Sequence, residues 1–431
     1  MSKLYSFLLT CMILVSFKPA EGQDLYFPPE NGVWETIDPA SLNWCADSLT
    51  ALQSYLDEKG TKSFIILKDG KIALEWYFDN FTENSLWYWA SAGKSLRSMM
   101  VGIAQEEGLL NISDSVSQYL GDGWTNCSMT DEHKITIWNQ LTMTSGLDDG
   151  IVDPHCTDPE CLDCIAEPGT RWAYHNGPYT LLTDVLEAAS GMTINQYYAS
   201  RIGDKIGAGG LWIDGGFNNI MWSNARDMAR YGLLVLAGGT WDTTPVLTDM
   251  DFYNAMINTS QDLNKSYGYL WWLNGKGEYM LPGIQLVIPF DLLVNAPDDM
   301  FAALGRDDQK IYVVPSQNLV VIRQGEAAGS ILPTLSGFDN TVWAKISTLN
   351  CMTTSTSHID ESQVITVFPN PASEYISVES AQNLELLNLT GVSINTVQSN
   401  RMDVSQYPPG MYFLRISINT QKRITRKVII R

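Results

Sequence analysis

Positive charge is scarce in this sequence: 27 Lys and Arg stand against 48 Asp and Glu, a formal net charge of −21. A surplus of that size repels polyanions and excludes general nucleic-acid binding. Histidine is scarcer still, with four residues. The chain has no Gly-x-Ser-x-Gly elbow, no His-Glu-x-x-His and no Gly-rich phosphate loop after a strand. Histidine-based triads therefore have little to draw on, and the four histidines read as surface or packing residues. Beyond the first residues, no segment is long and apolar enough to cross a bilayer. Charged residues make up 17% of the chain and hydrophobic ones 45%, which excludes a disordered chain and allows a large core. At 431 residues the chain fits two or three domains.

The first residues read as an address. Met1-Ser2-Lys3 is a short basic start, Leu4 to Phe17 is mostly apolar, and Ala20-Glu21-Gly22 offers the small-x-small pattern of signal peptidase. Residues 1–22 are thus expected to be a signal peptide, with Gln23 first in the mature chain. The alternative is a lipoprotein signal lipidated on Cys11, although the apolar stretch before Cys11 is short and Thr10 is bulky for that place. Export leaves six cysteines: Cys45, Cys127, Cys156, Cys161, Cys164 and Cys351. An even number in an oxidising compartment points to disulfides. Cys45 and Cys351 lie near the two ends of the large domain, and domain termini often meet, so they are the first pair expected. His155-Cys156 with Cys161 and Cys164 leaves a zinc cluster open as the other reading.

Residues 23–352 mix strand and helix patterns. Strands are expected at Ser63–Lys68 and Ile72–Phe78 around a Lys68-Asp69-Gly70 turn, and later at Tyr267–Leu273, Met300–Leu304, Ile311–Val314 and Leu319–Gln324. Helices are expected at Asn43–Lys59, Ser91–Glu107, Pro178–Ser190, Thr193–Ile202, Asn224–Ala237 and Thr341–Leu349. Strands at both ends and a helical middle, about 99–255, predict one sheet flanked by helices plus a helical subdomain, an α/β (α+β) architecture. A polar linker follows at 353–363. Residues 364–431 carry short alternating stretches (Val364–Val367, Tyr375–Val378, Leu384–Leu389, Met411–Ile418, Ile424–Ile430) between turn residues, the pattern of a small all-β sandwich.

Three sites carry chemistry. Ser91-Ala92-Gly93-Lys94 opens a helix, and a spacing of three sets both side chains on one face. A lysine takes a serine proton only when neutral, so its pKa must be depressed by burial or a nearby cation. Tyr174-His175-Asn176 is the second site. A tyrosine beside a lysine can be held as phenolate or share its proton, serving as base for the serine and acid for the leaving group. The Asn176 amide can hold Lys94 and orient a carbonyl. The third is Leu304-Gly305-Arg306-Asp307-Asp308-Gln309 at a strand end, where a backbone N–H can complete an oxyanion hole with that of Ser91. The bland readings are a helix cap, a packed loop tyrosine and a charged turn.

Taken in this order, the three sites resemble the serine beta-lactamase and penicillin-binding protein superfamily, closest to its class C beta-lactamase-like hydrolases. Supporting stretches are Leu141-Thr142-Met143-Thr144-Ser145-Gly146-Leu147 and Ala225-Arg226-Asp227-Met228-Ala229-Arg230-Tyr231-Gly232. The resemblance implies an acyl-enzyme on Ser91 with Lys94 as its proton partner and Tyr174 as general acid/base. Asn176 would position, Arg306 would be the basic residue of the third motif, and the amides of Ser91 and Gln309 would form the oxyanion hole. It implies no metal or organic cofactor. The usual third motif ends in small residues and glycine; here Asp307 and Asp308 stand there. Two carboxylates would repel an anionic substrate, so a neutral or cationic ester or amide is expected, with poor beta-lactamase and DD-peptidase activity. A non-catalytic sensor of the same fold is the rival. Seven tryptophans near the motifs (Trp87, Trp89, Trp138, Trp172, Trp222, Trp271, Trp272) could line an apolar pocket or be core.

The tail resembles the C-terminal sorting domain of the type IX secretion system of Bacteroidetes, through Val367-Phe368-Pro369-Asn370-Pro371-Ala372, Leu386-Leu387-Asn388-Leu389-Thr390-Gly391 and Pro409-Gly410-Met411-Tyr412-Phe413. That implies the secretion machinery as a partner and a cell-surface or extracellular destination. A surface-binding module is the alternative.

Overall fold

The computed structural model describes residues 25–329, 337–351, 366–379, 381–388, 391–418 and 423–431. The expected signal peptide and linker lie outside the described residues, as does His358. The core of the larger unit is a six-stranded antiparallel sheet. Its strands are β1 (Thr61–Lys68), β2 (Lys71–Tyr77), β6 (Trp272–Leu273), β7 (Phe301–Gly305), β8 (Gln309–Val314) and β9 (Leu319–Gly325), in the order β2-β1-β9-β8-β7-β6. Strands from both ends of this unit thus pair in one sheet, with β1 against β9. Three further short strands, β3 (Trp87–Tyr88), β4 (Leu211–Gly215) and β5 (Asn218–Ser223), form a separate sheet ordered β3-β5-β4.

The near-continuous apolar runs of β1, β8 and β9 are explained by cover on both faces. On one face lie α1 (Ala46–Glu58) and the last helix of this unit, Gly337–Ile346, joined by the stacked rings of Tyr55 and Phe338. On the other lie α2 (Gly93–Glu106) and Ala225–Leu236. Helix α2 is buried from Gly93 to Ala104, so its N-terminus reaches the sheet end from inside the protein. The segments between β3 and β6 are mostly helical and build the wall opposite the sheet.

Two expected boundaries shift for local reasons. Of Tyr267–Leu273 only Trp272–Leu273 is strand, because Leu270 adopts a left-handed φ of 61° and turns the chain. The last helix starts at Gly337 and ends at Ile346 rather than spanning Thr341–Leu349. All six cysteines are paired, as Cys45–Cys351, Cys127–Cys164 and Cys156–Cys161. The Cys45–Cys351 expectation holds, and the zinc reading falls because its thiols are consumed.

The tail forms a three-stranded and a four-stranded sheet around its own core of Ile376, Val378, Leu384, Leu386, Leu414, Ile416, Val428 and Ile430. Its first strand, Val367–Phe368, starts later than expected, and Ser393–Val397 and Arg401–Asp403 are strands that periodicity alone does not reveal.

Candidate active site

A cavity of about 520 Å³ opens where α2, the β3-β5-β4 sheet and the end of β7 meet. Ser91, Lys94, Tyr174, Asn176 and Arg306 all line it, so the three motifs, far apart in sequence, converge. Ser91 sits in a turn of 3-10 helix just before α2. The preceding Ala90 has a φ of 47°, a sparsely populated conformation that turns the chain sharply into the helix.

Lys94 Nζ donates to Ser91 Oγ at 3.1 Å and to Asn176 Oδ1 at 2.8 Å. It lies over the Tyr179 ring at 4.0 Å from the centroid and the Tyr174 ring at 5.1 Å. No carboxylate is bonded to it among the described residues. Burial, reinforced by the charge of Arg97, pulls its pKa well below the ordinary lysine range. The amine is thereby favoured over the ammonium, the state able to accept a proton from Ser91.

Tyr174 is buried, and burial raises its pKa; hydrogen bonding to Ser91 acts the other way but weakly. Of the two forms open to it, phenolate or a phenol that shares its proton, burial favours the phenol. The side chain stays a phenol, fit to donate or relay a proton. It is held from behind by Trp272, stacked at 5.8 Å, and by Tyr267 at 6.3 Å.

The third motif departs from expectation in three ways. Gly305, at the end of β7, is pressed on the serine turn: a Cβ there would lie 2.4 Å from the Trp89 carbonyl oxygen and 3.1 Å from the Ala92 nitrogen. Asp307 and Asp308 both take left-handed φ values, 58° and 60°, so the turn runs through a conformation that glycine usually supplies. Their carboxylates part company. Asp307 lines the cavity and accepts from the Tyr88 hydroxyl at 2.7 Å. Asp308 is buried behind it, paired with Lys310 at 3.2 Å and accepting from the Ala328 amide at 2.9 Å. Only one of the two carboxylates thus faces the cavity.

Gln309 is fully buried and lies outside the cavity lining. Its amide group bonds Asp307 O at 2.9 Å and both the carbonyl and amide of Gly325, at 2.6 and 3.0 Å. The side chain thus braces the turn from below and does not line the cavity. Arg323, buried beneath, donates to the carbonyls of Asp307 and Asp308. Arg306 is exposed at the cavity wall, and its guanidinium has no hydrogen bond or ion pair among the described residues.

Several residues in or behind the cavity wall carried no motif. Arg97 is fully buried one helical turn beyond Lys94, with its guanidinium 4.8 Å from the Tyr179 centroid and 4.3 Å from the Trp212 ring. It donates to Asn219 Oδ1 at 3.2 Å, and Asn219 itself lines the cavity. The 91-94-97 periodicity signals its helix face, but nothing local says that an arginine there is buried. His155 also lines the cavity, against the expectation of a surface or packing role. Burial and the nearby Lys94 lower its pKa, favouring the neutral ring. Its loop is tied down by the Cys156–Cys161 and Cys127–Cys164 bridges. None of the seven tryptophans lines the cavity. Asp122, Glu132 and His133 are close enough to hold an ion together, but the Glu132 oxygens already accept from Gly123 and Thr125.

The family profile for beta-lactamase matches residues 54–324, and that for the secretion system C-terminal sorting domain matches residues 366–431. Solved structures of similar fold include a putative 6-aminohexanoate-dimer hydrolase from Bacillus anthracis, with TM-score 0.57 and 17% identity over 75% of this chain and 88% of that one. A putative beta-lactamase from Bacteroides dorei gives TM-score 0.56 and 15% identity over 71% and 99%. A family VIII carboxylesterase gives TM-score 0.53 and 14% identity over 71% and 98%. At such identities the likeness is one of fold. No curated protein matches the chain in sequence. The chain belongs to the beta-lactamase family and carries a type IX secretion sorting domain, which marks it for export to the cell surface or the medium. Among the described residues no helix is long and apolar enough to cross a membrane.

Proposed function

We propose that this exported beta-lactamase-family protein is a serine hydrolase that cleaves an ester or amide through an acyl-enzyme on Ser91. The observation that carries the reading is the buried Lys94 amine, 3.1 Å from Ser91 Oγ, held by Asn176 and free of any carboxylate bond among the described residues. Lys94 takes the Ser91 proton as Oγ attacks the carbonyl carbon. The Tyr174 phenol passes a proton to the leaving oxygen or nitrogen and is restored from Lys94. Water then attacks the acyl-enzyme by the same steps in reverse, and releases the acid.

The oxyanion is met by the amide of Ser91 and by one at the end of β7. With Gly305 as the residue of closest approach, that second donor is the amide of Arg306 rather than of Gln309. Asn176 positions Lys94. Asp307 puts a carboxylate on the cavity wall, while Asp149 is paired with Arg171, which supports a neutral or cationic substrate over an anionic one. A second reading, turnover of beta-lactams or peptidoglycan peptides, is favoured by the unpaired guanidinium of Arg306, which suits a substrate carboxylate. Nitrocefin turnover by the purified protein distinguishes the two.

The primary test is intact-mass spectrometry of the purified protein with a short p-nitrophenyl ester and with a fluorophosphonate, beside Ser91→Ala. A covalent adduct or product release by wild type alone is expected. Neither, with a penicillin also inert, would move the assignment to a non-catalytic sensor.

A further inference from the structure

The small β3-β5-β4 sheet does more than close the cavity. Its register pairs Tyr88 with Trp222, Leu211 with Trp222, and Ile213 with Ile220. Directly paired residues share a face. One face therefore carries Tyr88, Trp222, Leu211, Ile220 and Ile213, while Trp212, Met221 and Ser223 on the other are buried in the core. The first face is left open: Leu211 is 57% exposed and Ile213 48%, with the other three half-buried.

Single exposed apolar residues are ordinary. Five contiguous ones on one pleated face, with no charged side chain among them, mark a surface meant to be covered. The rings of Tyr88 and Trp222 lie 5.6 Å apart and floor this platform, and the Tyr88 hydroxyl ties it to Asp307 of the third motif. Its inner edge is the cavity wall itself, since Tyr88, Ile220 and the neighbouring Asn218 line the space that holds Ser91. A chain attached to a carbonyl at Ser91 can leave the cavity along this face, over the apolar side chains of Ile220, Trp222, Leu211 and Ile213.

We propose that the outer face of this sheet seats an extended, uncharged apolar chain of the substrate, so that the class cleaved is long-chain neutral esters or amides. This rests on the serine-hydrolase reading above. Each methylene that reaches the platform should raise kcat/KM about two- to fourfold, the gain levelling off once the chain overruns the sheet.

The test is a p-nitrophenyl ester series from acetate to decanoate on the full mature protein, beside Leu211→Asp and Ile213→Asp. Both positions are exposed, so the variants should fold, as circular dichroism will check. A rising series in wild type that flattens by at least tenfold in the variants is expected. A flat series in wild type, or a rise that both variants keep, overturns the proposal. Equilibrium dialysis of decanoate ester against Ser91→Ala, with and without Ile213→Asp, reads binding without turnover. If binding is lost with Ile213→Asp but no ester is cleaved by wild type, the platform stands and the hydrolase reading fails. No binding by Ser91→Ala, or a dimer that Ile213→Asp merely splits, overturns the platform.

Discussion

Gly305→Ala is the smallest change that should disable the site. The added methyl would stand 2.4 Å from the Trp89 carbonyl oxygen and 3.1 Å from the Ala92 nitrogen. A carbon–oxygen contact settles at about 3.3 Å, so the strand and the serine turn must part by nearly 1 Å. Neither obstacle can swing aside, because both are backbone. The Trp89 amide is bonded to Met221 O at 2.8 Å, and Ala92 leads straight into the buried start of α2. Strain of this kind costs about 1–3 kcal/mol, a fall in Tm of roughly 2–4 °C for a unit of this size. The displacement acts between Ser91 and the amide of Arg306, where a misplacement of ~1 Å costs about 100-fold in rate. The assay is burst and steady-state kinetics with p-nitrophenyl acetate, with calorimetry on the same samples. Gly337→Ala is the control, since among the described residues nothing lies within 4 Å of a Cβ there; it should stay within about 0.5 kcal/mol of wild type. Wild-type kcat and Tm in Gly305→Ala would refute the close approach of β7 to the serine turn and the oxyanion assignment built on it.

Three other outcomes are expected. On the proposed mechanism Lys94 acts as the neutral amine, so activity should be lost as pH falls through its lowered pKa; Arg97→Met removes the charge that helps lower it and should move the acidic limb of kcat/KM for a neutral ester to higher pH, an unmoved limb in folded protein counting against the role. Cys45→Ser opens a loop spanning 306 residues and should cost about 6 kcal/mol on the chain-entropy model, whereas Cys156→Ser, with a separation of 5, should cost about 2 kcal/mol, as urea unfolding will measure. Deleting residues 366–431 should hold the chain inside the cell envelope while the purified remainder keeps its Ser91-dependent activity; secretion of the truncated chain into the medium would contradict the sorting role.

Local pattern determined a good deal by itself. The Ser91–Lys94 spacing places two side chains on one helix face whatever surrounds them, because the helical repeat alone sets it. The Lys68-Asp69-Gly70 turn dictates the β1–β2 hairpin for the same kind of reason, and the alternation in the tail dictates a sandwich core. The even cysteine number, joined to an export signal, was enough to expect bridges, and near-by termini enough to choose Cys45 and Cys351. What only the tertiary structure decided depends on contacts between residues far apart in the chain. Whether a lysine is neutral depends on burial by Tyr174 and Tyr179 and on Arg97, and burial is not a property of a four-residue motif. Two adjacent aspartates look alike in sequence, yet the left-handed turn sends Asp307 to the cavity and Asp308 to Lys310. Spacing alone does not say which residue of the third motif meets the serine turn; the pairing of β7 with β8 sets Gly305 there and the Gln309 side chain beneath it. Likewise β4 and β5 are not expected as strands at all within the helical middle, and only the sheet register gathers their apolar residues on one open face beside Ser91. Spacing settles which side chains share an element; only packing settles what each of them meets.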